Sequence, residues 1–110
     1  MITVNGDFYL VNDPSMKYSE NGTPMTWFRA RSPEGKDETI WVSITMFGKQ
    51  AEIANQYLKK GSGIQVTGRL RHVEGNPETY KGNDGSTRAS FGVICDRFSF
   101  LSREKKEGAE

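Results

Sequence analysis

The sequence is poor in the residues that usually carry metal binding and nucleophilic catalysis. Its 110 residues contain one cysteine, Cys95, and one histidine, His72. A single thiol cannot close an internal disulfide, and neither residue has the companions that a structural zinc site needs. The sequence also has no phosphate-cradling glycine motif, no paired carboxylates in a credible cleft and no nucleophile beside a base. We therefore expect no bound metal, no cofactor and no enzymatic activity.

Long apolar runs are missing as well. No stretch approaches the roughly 18 residues that a membrane-spanning helix requires. Residues 1–7 have neither the basic region nor the continuous apolar segment of a secretory signal. We expect a cytoplasmic protein, or one of the equivalent organelle compartment, with a single domain in residues 1–101. Residues 102–110 are charged and lack an apolar anchor, which predicts a mobile tail.

An excess of charge of one sign is the third absence. The 15 Lys and Arg residues are nearly balanced by 14 Asp and Glu residues, which leaves a formal net charge of +1. Nucleic-acid-binding proteins often show a clear basic excess, so this sum is weak support for a polyanionic partner. The positions of the charges must decide the question.

Glycine is plentiful and separates short segments in which apolar residues alternate, a pattern typical of strands and turns. The predicted strands are residues 2–10, 25–31, 39–47, 64–73 and 89–101. The second and third should form a hairpin, and residues 74–87 a long polar loop. Gly6 predicts a bulge or bend in the first strand, and a change of phase near Asp96 and Arg97 predicts a bulge in the last.

One segment has helical spacing. Phe47, Ala51, Ala54 and Leu58 share one helix face, and Gly61 can end that helix. The chain is thus all-β with one short helix between the third and fourth strands. This is the order of the OB-fold, a five-stranded Greek-key barrel whose sheet face and loops bind oligonucleotides or oligosaccharides. An SH3-like barrel competes, but it would not predict a helix of this length there.

The outward positions of these strands carry aromatic and basic side chains. The even positions from Ile40 to Met46 form an apolar inner face, and the odd positions then face solvent. The candidate nucleic-acid-binding residues are Trp27, Arg29, Arg31, Trp41, Phe47, Arg69 and Arg71, with Tyr80 added from the long loop. The three strand faces contain four arginines and no acid. Bases stack on such aromatics at ~1–3 kcal/mol each while cations meet the phosphates, which favours single-stranded nucleic acid.

Other interpretations remain open for the aromatic residues. Phe47 can belong to the buried stripe of the helix, and Tyr80 can close its own loop. Trp27 and Trp41 can pack against another protein, since exposed aromatics often mark interfaces. The competing hypothesis is therefore a protein-interaction module in which DNA contact is incidental. We expect His72 to be a polar surface residue and Cys95 a small core residue.

Three segments resemble a known family. Residues 13–22, DPSMKYSENG, resemble the DPE-x-RY-x-x-NG stretch of bacterial single-stranded-DNA-binding proteins and lack its acidic third residue. Residues 41–70, WVSITMFGKQAEIANQYLKKGSGIQVTGRL, are similar to the most recognisable block of that family, and residues 98–101 to its last strand. The resemblance covers about residues 2–101.

The resemblance implies an OB-fold protein that binds single-stranded DNA with little sequence preference in replication, recombination or repair. It also implies a homo-oligomer, usually a tetramer, with a dimer possible. Trp41 and Phe47 fall on stacking positions of the family, and Tyr80 falls near a further aromatic. The chain departs from the family where residues 74–87 form a longer loop and residues 32–39 a short one without an aromatic.

The C-terminus departs from the family pattern further. Members typically continue into a glycine-rich linker and an acidic tip ending in Pro-Phe that recruits other enzymes, whereas this sequence ends in Gly-Ala-Glu. Unless the chain is a trimmed piece of a longer protein, we expect no recruitment through such a tip. A tail-less accessory or primosomal paralogue is then the alternative to a housekeeping protein.

Overall fold

The structure, a computed structural model, describes residues 1–101; the predicted tail at residues 102–110 lies outside them. Its elements in chain order are β1 (Thr3–Leu10), β2 (Ser15–Tyr18), β3 (Pro24–Pro33), β4 (Thr39–Phe47), α1 (Lys49–Tyr57), β5 (Gly63–Leu70), β6 (Glu78–Lys81) and β7 (Thr87–Phe100). Within residues 1–101, no helix is long and apolar enough to cross a membrane.

Five of the strands close into a barrel. β3 and β4 form the predicted hairpin, and β4 runs parallel to β7. β7 pairs with β5, β5 pairs with β1, and Tyr9 and Leu10 of β1 return to β3. The helix lies between β4 and β5 in sequence. This closed barrel with one short helix confirms the predicted OB-fold.

Every second strand residue points into the barrel, and the barrel interior is apolar because these inward residues are apolar. Its buried side chains come from β1, β3, β4, β5 and β7 and are Phe8, Leu10, Phe28, Ala30, Val42, Ile44, Met46, Ile64, Val66, Val93 and Cys95. Ala51 and Ala54 of α1 close one end, where the buried hydroxyl of Thr26 donates a 2.7 Å hydrogen bond to the carbonyl oxygen of Ala51. Ile40 was expected in this core and is instead 37% exposed, because the pairing of β4 with β7 begins only at Val42.

The helix is shorter than its spacing predicted. Phe47 is the last residue of β4, and Gly48 turns the chain with a φ of 73° before α1 begins at Lys49. The helix ends at Tyr57 because Leu58 is already extended. Gly61 therefore does not end it; with a φ of 93°, Gly61 forms the next turn and donates its N–H to the carbonyl oxygen of Leu10.

Two short strands, one strand end and one bulge position differ from the predictions. β2 lies where no strand was predicted, and the predicted loop of residues 74–87 contains β6, which forms a hairpin arm with the start of β7. β5 ends at Leu70 rather than near Val73. No register shift occurs at Gly6, where β1 pairs with β5 without interruption.

The bulge predicted in the last strand is present. Thr67 pairs with Arg97 and Gly68 with Cys95, which leaves Asp96 without a partner on β5. Gly68 is required at this point, because a methyl group on it would overlap the carbonyl oxygen of Ile94. The bulge keeps Phe98 against the core and pushes Asp96 outward.

Candidate nucleic-acid interface

The outer face of the β3–β4 hairpin brings the predicted aromatic residues together. Met25 pairs with Phe47 and Arg31 with Trp41, while Trp27 pairs with Thr45 between them. The exposed fractions are 50% for Trp41, 47% for Phe47 and 38% for Trp27. Phe47 is therefore not part of the buried helical stripe. Three large rings lie on one sheet face with polar residues between them.

β2 adds a cation to this face that the sequence interpretation missed. Ser15 and Lys17 pair with Trp27 and Met25, and the Lys17 ammonium lies 5.9 Å from the centre of the Trp27 ring. Ser15 and Lys17 of this strand line a groove of about 620 Å³ together with Arg29 and Thr45. Lys17 was missed because a four-residue strand gives too short an alternation to detect.

Two arginines of the hairpin remain unpaired. Among residues 1–101, neither Arg29 nor Arg31 takes part in an ion pair. The Arg31 guanidinium instead lies 5.4 Å from the centre of the Tyr9 ring, at the closure between β1 and β3. Such a cation over an aromatic ring keeps its charge available to a phosphate while the ring restricts its position.

The other two arginines have acidic partners, which come from strands other than the three whose outward faces contain no acid. Arg69 Nε lies 3.3 Å from Asp96 Oδ1, with both side chains about half exposed. Arg71 holds both carboxylate oxygens of Glu78 at 2.8 and 2.9 Å. The sequence could not show this, because the bulge in β7 and the fold-back of β6 bring these acids to the face.

β5 does not lie directly beside β4 in the sheet. β7 separates them, and its outward residues at this level are Gly92 and Ile94. A side chain on Gly92 would meet Arg71 and Glu78, with Glu78 Oε1 2.6 Å from the added carbon. The glycine thus lets Arg71 reach across β7 and donate a 2.6 Å hydrogen bond to Thr45 Oγ1.

Tyr80 lies on the hairpin arm formed by β6 and β7, with 44% of its surface exposed. A second groove of about 440 Å³ runs between this arm and the sheet and is lined by Tyr80, Glu78 and Arg29 among others. Tyr80 therefore faces a groove and does not only close its own loop.

At the tip of the arm, the hydroxyl and amide of Ser86 donate to Asp84 and hold the pKa of that carboxyl below its usual value.

The two scarce residues have local structural roles. His72 Nδ1 accepts a 2.8 Å hydrogen bond from the Gly75 amide in the turn before the arm. Cys95 is 4% exposed, and burial, reinforced by the neighbouring charge of Asp96, raises the pKa of its thiol to about 12. The thiolate form is therefore suppressed at neutral pH.

Comparison with known proteins places this chain in a family. The model of the single-strand binding protein family matches residues 8–101. A curated protein of Neisseria meningitidis serogroup A, named single-stranded DNA-binding protein, is 34% identical over 101 residues, which cover 84% of this chain and 55% of that protein. Proteins of the same name from Xanthomonas campestris and Clostridium tetani are 32% and 31% identical, over 84% and 91% of this chain and 55% and 70% of their own lengths. The chain thus spans little more than half the length of several relatives that it matches.

Proposed function

The chain belongs to the single-strand binding protein family, and from this premise we propose that it binds single-stranded DNA with little sequence preference. The observation that carries the proposal is the outer face of the β3–β4 hairpin, where Trp27, Trp41 and Phe47 are exposed beside unpaired cations. Every base has a flat face that can stack on such rings, so stacking is tolerant of sequence.

The proposed mechanism divides the work between rings and cations. Trp41, Phe47 and Trp27 stack bases, and Tyr80 adds a further ring from the arm. Arg29, Arg31 and Lys17 meet phosphates, whereas Arg69 remains paired with Asp96 and becomes a further phosphate ligand only when that carboxylate is removed. Phosphate neutralisation releases counterions from the DNA, so affinity should fall as salt rises.

The wider role is proposed from the family resemblance. We place the protein in DNA replication, recombination or repair, in the cytoplasm with the nucleoid or in the equivalent organelle compartment. We also propose a homo-oligomer, with a tetramer favoured over a dimer. Light scattering with and without a long oligonucleotide tests assembly, and a mass that stays at one protomer in both states would refute it.

Trp41→Ala tests the binding face. We expect the affinity for a labelled oligo-dT to fall about five- to 150-fold, because one stacked base contributes ~1–3 kcal/mol. Tryptophan fluorescence of the unsubstituted protein should be quenched as DNA is added. Tyr57→Ala is the matched control: this ring is 61% exposed on α1 and contacts Phe100 rather than the hairpin face, so the affinity should not change.

The same variant separates the proposal from the protein-interaction alternative. Loss of DNA affinity with an unchanged oligomeric mass supports a DNA-binding face. An unchanged DNA affinity with an altered mass would show that Trp41 lies in a protein interface instead. Absence of binding by the unsubstituted protein at low salt would refute the proposed function itself.

A further inference from the structure

Arg71 lies on the proposed DNA-binding face, yet its guanidinium is already engaged on two sides. Nε and Nη2 donate to the two carboxylate oxygens of Glu78, and Nη1 donates to Thr45 Oγ1. The Arg71 and Glu78 side chains are 27% and 23% exposed, much less than those of Arg69 and Asp96. A bidentate, partly buried pair of this kind is both stronger and more fixed in geometry than a surface ion pair.

The contacts connect three separate parts of the chain. Arg71 follows β5, Thr45 belongs to β4, and Glu78 is the first residue of β6. The Arg71 amide also donates to the carbonyl oxygen of Gly92 on β7 at 2.8 Å. The guanidinium thus spans β7 and fastens the start of the hairpin arm to the centre of the sheet face.

Tyr80 follows Glu78 by two residues on β6. Alternate residues of a strand share a face, so Tyr80 and the clamped carboxylate point to the same side of the arm. Both line the groove between the arm and Arg29. The position of Tyr80 over the sheet therefore depends on where Glu78 is held.

We propose that Arg71, Glu78 and Thr45 form a clamp that holds the β6–β7 arm over the binding face, and that Arg71 is a positioning residue for Tyr80 rather than a phosphate ligand. This inference rests on the proposed DNA binding. A phosphate that took Arg71 would displace a carboxylate already bound through two charge-assisted hydrogen bonds, so the exchange offers little gain. The clamp contributes to DNA affinity by keeping the Tyr80 ring in place before DNA binds.

The clamp is tested first in the free protein. Amide hydrogen exchange of residues 78–90 should be several-fold faster in Glu78→Gln and in Arg71→Met, while exchange in the barrel strands and the melting temperature change little. Glu34→Gln removes the same charge from the turn after β3, and the arm should exchange as in the unsubstituted protein. Unchanged exchange of the arm in both clamp variants would overturn the clamp without any reference to DNA.

DNA binding then tests the role of Arg71. We expect Glu78→Gln and Arg71→Met each to weaken oligo-dT binding about three- to tenfold, within the loss given by Tyr80→Ala, because the lost contribution is one stacking ring. Glu78→Gln combined with Tyr80→Ala should bind no more weakly than Tyr80→Ala alone, as coupled residues are not additive. The slope of affinity against salt should be the same in Arg71→Met as in the unsubstituted protein.

Two results would overturn the positioning role. One is tighter DNA binding by Glu78→Gln, which would mean that the carboxylate competes with phosphate for Arg71. The other is a salt slope that falls by about 0.7 in Arg71→Met, the loss of one phosphate contact to a single strand. If the unsubstituted protein binds no DNA, the proposed function fails, and the exchange experiment still decides whether the clamp exists.

Discussion

At the scale of single residues, the two ion pairs on the binding face have opposite expected effects on DNA affinity. The pair of Arg71 with Glu78 supports binding, and the pair of Arg69 with Asp96 weakens it. Asp96 is exposed in the β7 bulge, and among residues 1–101 its carboxylate meets only Nε of Arg69, at 3.3 Å. An exposed pair of this kind contributes little to stability. Its main effect is to place a negative charge beside a cation that can otherwise meet phosphate.

Asp96→Asn should therefore strengthen oligo-dT binding about 1.5- to fivefold at low salt, since exposed ion pairs correspond to ~0.2–1 kcal/mol. The gain should shrink as salt is raised, because exposed charges are screened. Fluorescence titrations at two salt concentrations measure both effects. Asp37→Asn, which removes an equal charge from the turn between β3 and β4, serves as the control. A weaker affinity in Asp96→Asn would show that the pair holds Arg69 in its binding position.

At the scale of elements, long and strongly alternating strands were predictable and short polar ones were not. The β3–β4 hairpin and the bulge at Asp96 follow from alternation and from its change of phase. β2 and β6 have four residues each and depend on pairing with a longer neighbour, which local sequence does not report. The helix start was misplaced because Phe47 continues the helical spacing although it completes β4.

The candidate site divides in the same way. Exposure of Trp41, Phe47 and Trp27 follows from strand alternation, because every second residue faces outward. The acidic partners of Arg69 and Arg71 come from β7 and β6, and their approach depends on tertiary pairing. Alternation along one strand cannot place a residue from another strand.

The bulge between β5 and β7 supplies a prediction about an element. Gly68→Ala should lower the free energy of unfolding by about 1–3 kcal/mol or more, the range for overpacking, because the added methyl group overlaps a backbone oxygen. Urea denaturation measures this change. Gly35→Ala is the control, since its methyl group would lie 3.8 Å from the nearest atom, Glu38 Oε1. Equal stability of the two variants would mean that β7 can shift at the bulge without cost.

At the scale of the whole molecule, the net charge of +1 conceals an uneven distribution. Within residues 1–101, three cations of the hairpin face, Lys17, Arg29 and Arg31, form no ion pair, whereas Arg69, Arg71 and Arg88 each have an acidic partner. At the hairpin face, the positive charge that a polyanion meets is therefore that of Lys17, Arg29 and Arg31. Total charge is a poor guide here because half of these cations are neutralised locally.

The salt dependence of binding should count that unpaired group. For a single strand the slope of log affinity against log salt is about −0.7 per phosphate neutralised, so three cations predict about −2 for each protomer. Arg29→Met with Arg31→Met should reduce the slope to about −0.7, because methionine keeps an apolar stem and loses the charge. Trp41→Ala should weaken binding at every salt concentration without changing the slope, since stacking releases few ions. A slope that stays near −2 in the double arginine variant would place the phosphate contacts on other residues and remove the hairpin face as the path of the backbone.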